Sequence, residues 1–323
     1  MSNIILDRRT IDSTGAFLLG QLEKFDPKVN MPLQITTWSR DIPVRNDVSI
    51  GHEFASYTLD TFADAGNGID QGPSFTGKGV TAPSSIEVDN NKIVQPLYQW
   101  TKRVGYSLTE LASSQLQQLP IDMRKVTALQ RVHQLQMDQV AYTGATAQNA
   151  GYTGLFNNAA VVAQGITSSV AAWSGATPAQ IQADINNLIA NVVATAATAV
   201  APTVVLVSHA DMAILTQPIT SAGSISIKEF IEENNLAKSM GFDLEIRACK
   251  WCAGSGVGGK TRVVAYNQDM EYLQFPFVPL QRTPLVQIGS QFLFDYVGKF
   301  GQLEVRFPET VGYMDHGWYL DYT

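Results

Sequence analysis

The chain has 323 residues, a formal net charge of −7 and only 16% charged residues beside 45% hydrophobic ones. That acidic balance argues against a protein that grips nucleic acid by neutralising phosphates, and no run of the eighteen or so apolar residues needed to span a membrane occurs. A charged fraction well below the roughly 25% of an average soluble domain implies a surface much of which is covered by something.

The first residues, MSNIILDRRTIDSTG, have no continuous apolar stretch and reach Asp7 early, so a secretory signal is not expected and the chain reads as soluble and intracellular. Residues 11–24, IDSTGAFLLGQLEK, carry a short amphipathic helix pattern that must end before Pro27. From there to Val44, prolines and single apolar residues follow one another without a period, as in an arm that lies on another surface. Residues 47–66 read as extended, 67–85 as a polar tip rich in Gly, Pro, Ser and Thr, and IEVDNNKIVQPLYQWTKRVGYSL from Ile86 as extended again. Two long strands joined by such a tip make a two-stranded ribbon, marginally stable alone, which must rest on a neighbour.

Ser107 and Glu110 have the spacing of a capping box, and Leu108, Leu111, Leu116 and Leu119 fit a helix that Pro120 breaks or kinks. Val126, Leu129, Val132, Leu135, Val140 and Ala141 then recur at helical spacing, with Met137 near the same stripe, predicting a long helix that ends at Gly144. Thr177 caps a second helix, with Pro178 in its first turn and Gln180 reaching back. TVVLV from Thr203 predicts a buried strand, followed by a short helix, a further helix in SIKEFIEENN, and a strand in GFDLEIRACKWC. This alternation over about 176–268 predicts one α/β lobe, and the tail from Met270 to Thr323 reads almost wholly as strand.

Two chemical motifs interrupt the pattern. GSGVGGKT, Gly254 to Thr261, satisfies the phosphate-loop spacing through Gly254, Gly259, Lys260 and Thr261. Such a loop needs a helix starting at the Lys-Thr pair, and TRVVAYNQDMEYLQFPF prefers extended chain instead. The glycines are therefore expected to form a hairpin loop between two strands. Cys249 and Cys252 have C-x-x-C spacing but lie at the end of a strand, and His52, His133, His209 and His316 stand apart, so two reduced thiols are expected. No catalytic, metal-binding or cofactor-binding residue is predicted.

The order of arm, exposed ribbon, long kinked helix, glycine turn, α/β lobe and returning strands resembles the major capsid proteins of tailed bacteriophages, the Hong Kong 97-type fold shared with encapsulin nanocompartments. The motifs that carry the resemblance are YSLTEL at Tyr106–Leu111, QMDQVAYTG at the end of the long helix, GYTGLFNN at Gly151–Asn158, PTVVLVSHADMAIL and GGKTRVVAYNQD. It implies an α+β fold with an N-terminal arm (1–45), an extended loop (46–106), a peripheral domain with a spine helix (107–175 and 270–323) and an α/β axial domain (176–269). A fused scaffolding segment is not expected.

By the same resemblance the chain would be a structural protein rather than an enzyme. It would self-assemble as pentamers and hexamers into an icosahedral head in the host cytoplasm, enclosing DNA without sequence-specific binding in the finished virion. Any scaffolding, portal or decoration proteins would be separate partners. Assembly contacts are expected at Trp38 and Ile42 in the arm, Phe75 and Lys78 at the ribbon tip, and Tyr98 and Trp100 on the return strand, all in segments too thin to bury them internally. Gly144, Gly151, Gly154, Gly254 and Gly259 are expected to serve backbone turns. An encapsulin-type cargo shell and a P-loop nucleotide-binding enzyme remain the alternatives.

Overall fold

The computed structural model describes residues 34–64, 78, 85–117, 121–145, 151–166, 172–220, 223 and 225–317. The helix expected at 11–24, Phe75 and nearly all of the glycine-rich tip lie outside these residues.

In chain order the described elements begin with a short helix α1 (Trp38–Asp41), β1 (Val44–Arg45), β2 (Phe54–Asp64) and β3 (Ile86–Ser107). Helices α2 (Leu108–Gln117) and α3 (Ile121–Thr143) follow, then β4 (Ala163–Gly165), α4 (Pro178–Thr195), β5 (Val204–Val207) and α5 (His209–Leu215). Next come α6 (Ile227–Glu233), α7 (Leu236–Ser239), β6 (Glu245–Ala248) and β7 (Thr261–Tyr266). The last strands are β8 (Leu273–Arg282), β9 (Val286–Ile288), β10 (Gln291–Gly301), β11 (Glu304–Val305) and β12 (Val311–His316).

The helix boundaries follow the local chemistry. The Ser107–Glu110 box forms, the Glu110 amide donating to Ser107 Oγ and the Ser107 amide to Glu110 Oε2. The Thr177–Gln180 box forms as well, with Pro178 in the first turn. At the end of α3, Gly144 takes φ of 71°, which only glycine adopts without strain. Beyond it, the Leu155 and Phe156 amides donate to the carbonyls of Ala141 and Tyr142, and Asn157 Nδ2 donates to that of Thr143. The GYTGLFNN turn thus satisfies the carbonyls that a helix end leaves unpaired. A side chain at Gly154 would sit 2.5 Å from the Tyr142 carbonyl oxygen, so glycine there permits the close approach. Gly151 differs: a Cβ would meet nothing within 4 Å, and no spatial need for glycine exists.

Two sheets form. One runs β1-β8-β10-β3-β2 with β11 on β8 and β9 on β10; the other runs β4-β12-β7-β5-β6. In the second sheet Val204, Leu206, Val264 and Tyr266 join a core shared with α3, the GYTGLFNN turn and the first sheet. Val205, Val207, Val263 and Ala265 pack the other way against Ile181, Ile185, Leu188 and Val192 of α4. Burial on both faces explains why β5 is an unbroken apolar run rather than an alternating one.

The structure corrects three expectations. The glycine loop joins β6 to β7, but β5 lies between those strands, parallel to β6 and antiparallel to β7, so the connection crosses a strand and is not a hairpin. Within the tail, β12 pairs with β7 and therefore belongs to the sheet of the α/β lobe, where β4 also sits. The ribbon is two-stranded only for β2 against residues 86–96; residues 97–107 of β3 pair with β10 inside the first sheet.

Candidate functional site

No described residues gather three or more His, Cys, Asp or Glu side chains that could hold a metal. The features that stand out are the ribbon, its base and the strap formed by residues 34–45.

In the ribbon, Phe54 faces Pro96, Ser56 faces Val94, Phe62 faces Val88 and Asp64 faces Ile86. Directly opposed residues share a face, so Phe54, Phe62, Ile86, Val88 and Val94 form one apolar stripe, interrupted by Thr58–Lys92 and Asp60–Asn90. All five are between 51% and 76% exposed, so nothing in the chain's described residues covers the stripe. The opposite face carries Ala55, Tyr57, Leu59 and Ile93, which are buried or half-buried near the base.

Three clasps hold that base. Arg45 donates from Nη1 to the Ser56 carbonyl at 3.2 Å and to Glu304 Oε1 at 2.9 Å. Lys299 donates to the His52 carbonyl, and Tyr152 donates its hydroxyl to the Pro96 carbonyl. Burial pushes the Glu304 carboxyl up, against the opposing pull of Arg45 and Arg306.

The strap is tied to α3. Asp138, wholly buried, accepts the amides of Thr37 and Trp38 on Oδ1, at 2.8 and 3.0 Å, and the indole N–H of Trp251 on Oδ2 at 2.8 Å, where Lys250 also pairs with it. The carboxylate thereby caps α1 and draws the 250–251 loop to the same point. Asp41 accepts the Tyr142 hydroxyl, and its carbonyl accepts that of Tyr266 at 2.7 Å.

This geometry corrects the premise behind three of the expected assembly residues. Trp38, Ile42 and Trp100 are covered by their own chain at 5%, 1% and 8% exposure. Trp38 packs on Phe275 and Phe277 and donates to Gln134, because the strap threads between α3 and β8. Trp100 donates to Gln136 and meets the edge of His133, because β3 has left the ribbon by that point. His133 is buried without a partner for Nε2, and burial lowers it to about 4. Tyr98 is 41% exposed with its ring edge-on to Tyr152, Lys78 is exposed in a turn, and Phe75 lies outside the described residues. The alternation of FASYTLDTF sets Ala55, Tyr57 and Leu59 on the covered face, so the pattern did not announce the bare stripe, where Ser56, Thr58 and Asp60 separate Phe54 from Phe62.

The phosphate-loop spacing resolves into something else. Gly254, Gly258 and Gly259 all have positive φ, as the expected turn role requires. No helix follows, since β7 begins at Thr261. One amide of the loop is already taken by the chain itself: Asp315 Oδ2 accepts the Val257 N–H at 2.9 Å while Arg262 binds the same carboxylate at 2.7 and 2.8 Å. Burial works to raise the Asp315 carboxyl, but Arg262 and the Val257 amide outweigh it and hold it below the usual range. Cys249 and Cys252 are free and fully buried, and burial raises the Cys252 thiol well above its usual value.

No curated protein sequence matches the chain. Solved structures do. The capsid of Myoviridae phage XM1 is similar at a TM-score of 0.75 and 16% identity, over 98% of this chain and 100% of that one. A structure from Mycobacterium phage Bobi gives 0.58 at 12% identity over 97% and 99%. The capsid of an empty GTA particle gives 0.55 at 11% identity over 94% and 98%. At such identities the likeness shows the fold, and it is the Hong Kong 97-type fold that the sequence resemblance implied. The family model described as "Major capsid protein" matches residues 74–316, three quarters of the sequence, so the chain belongs to the major capsid protein family.

Proposed function

We propose that this capsid protein builds the icosahedral head of a tailed phage, in which the exposed apolar stripe of each ribbon lies on a neighbouring copy. The stripe carries the reading: five large apolar side chains project from a two-stranded ribbon that has no third strand to pack on. Head-to-tail contacts of that kind close into rings where the rotation permits, which gives the pentamers and hexamers of a shell. The lobe formed largely by 176–269 would surround the ring axes, and the sheet bearing α3 would form the periphery. DNA is enclosed without sequence-specific contacts, in keeping with a net charge of −7. Assembly takes place in the host cytoplasm, the chain closing into shells by itself, and any scaffolding, portal or decoration function is supplied by separate chains. The role is structural, with no bond chemistry.

Phe62→Asp combined with Val88→Lys, an opposite-charge cross-strand pair, tests this. The variant keeps the monomer's unfolding free energy within about 0.5 kcal/mol, since both side chains are solvent-exposed, while closed particles disappear from electron micrographs. Particles at the normal yield would remove the stripe from the account.

A further inference from the structure

The first sheet has a gap in its outer edge. Strand β3 is 22 residues long, yet β2 covers only residues 86–96 of it. Past that point the backbone groups of alternate residues face the side where β2 would have continued. The Leu97 amide on that side donates to the Glu53 carbonyl. Farther along, the Gly105 carbonyl accepts Lys125 Nζ at 2.9 Å and the Ser107 amide donates to Glu110. Between these closures lie Gln99, Thr101 and Arg103. All three are exposed, and no described residue pairs with their outward N–H and C=O groups.

The result is a notch rather than an open edge: five residues, Gln99–Arg103, stopped at one end by the Glu53 carbonyl and at the other by Lys125 and Glu110. At about 3.3 Å per residue it takes an extended segment of roughly 16 Å. Its floor is mixed, with Leu129, Val132 and Val140 beside Gln136 and Gln139. Two adjoining hollows of about 610 and 420 Å³ share Trp100 and Lys102 and run beneath it along α3, past Gln136, Val140 and Val132. An added strand would place alternate side chains into that floor and the others beside Gln99 and Thr101. Bare strand edges invite pairing, and natural proteins cover or blunt them.

We infer that the Gln99–Arg103 notch is completed by an extended strand from a second copy of this chain. Two observations choose that occupant. The notch continues in line from β2, so a strand seated in it is contiguous with the ribbon whose stripe is the proposed surface between copies. Lys102 at its rim has no ion pair among the described residues, while a second copy brings a net charge of −7. Strand addition of this kind takes its affinity from main-chain hydrogen bonds and its specificity from alternate side-chain pockets. The inference rests on the shell reading above.

Amide hydrogen exchange on assembled particles and on the dissociated chain tests it. The amides of Gln99, Thr101 and Arg103 exchange about 100-fold or more slowly in particles. Thr101→Pro removes an outward N–H without touching the ladder to β10, a position where an edge tolerates proline. That variant keeps the near-ultraviolet circular dichroism of the parent chain and loses at least about tenfold in particle yield. Where it does not fold, exchange in the unaltered chain decides alone. Particles in which the three amides exchange as in the dissociated chain overturn the inference and leave the shell reading standing. Protection that persists in the dilute monomer also overturns it, by assigning the notch to the same chain. Failure of the unaltered chain to form any particle removes the shell reading and this inference together.

Discussion

Asp138→Asn isolates what ties the strap to the body. The side chain keeps its shape, and Oδ1 of asparagine still accepts the amides of Thr37 and Trp38. The other half of the group becomes an NH₂ that faces the Trp251 indole N–H and the Lys250 ammonium, donors against a donor. The lost indole bond to a charged, buried acceptor is worth about 1.5–3 kcal/mol, and the stranded donor adds to the loss. Lys250 is a third exposed and turns to water, so its share is under about 1 kcal/mol. The sum is about 3 kcal/mol, a sizeable part of the roughly 5–15 kcal/mol that holds a typical domain. Urea unfolding of the dissociated chain reads it directly, and limited proteolysis at Ile35–Trp38 reads the release of the strap. Gln139→Ala, at the exposed neighbouring position of the same helix, serves as the control, with a loss below about 0.5 kcal/mol. A loss below about 1 kcal/mol for Asp138→Asn itself would refute the argument that this carboxylate anchors the strap.

His133 makes the fold acid-sensitive: burial lowers it from 6.5 to about 4, so as pH falls between those values the unfolded chain takes up a proton that the folded chain refuses, and stability drops. The loss approaches 2–3 kcal/mol, order of magnitude, near pH 4, and urea unfolding of His133→Phe across that window shows a flatter pH profile; an unchanged slope contradicts the assignment. Gly144→Ala and Gly154→Ala each abolish soluble folded protein, because the added Cβ would come within 2.0 and 2.5 Å of backbone oxygens, whereas Gly151→Ala unfolds at the parent's urea midpoint. Lys260→Ala leaves nucleotide titrations as flat as those of the parent chain, because a strand rather than a helix follows the loop and its Val257 amide is bonded to Asp315; saturable binding that depends on Lys260 would reverse the reading of that loop.

What was legible in the sequence depended on range. The Thr177–Gln180 box, the Ser107–Glu110 box and the glycine stop at Gly144 are short-range signals, and each stands where residues within a few positions place it. The ribbon's alternation was equally local. Pairing between distant strands was not: nothing in GFDLEIRACKWC announces that β5, some forty positions earlier, separates β6 from β7. The continuity of β3 was hidden for the same reason, since the switch of its partner from β2 to β10 changes no residue pattern along the strand. That switch decides the fate of Trp100, which looked bare in a ribbon and is covered in a sheet. Asp138 was invisible because its donors lie 100, 101 and 113 positions away and a lone acidic residue on a helix reads as a solvated face. The bare stripe was hidden as well, because the apolar alternation of FASYTLDTF marks the other face, and which face the body covers depends on the three clasps at the base.

The central claim is that copies of this chain close upon one another through surfaces a single copy leaves bare. Electron microscopy of the purified full-length chain, brought from dilute to high concentration, tests it most directly. Closed shells, rings or tubes of uniform wall thickness are the predicted result; a uniform monomer at every concentration, with the ribbon stripe still open to solvent, would contradict it.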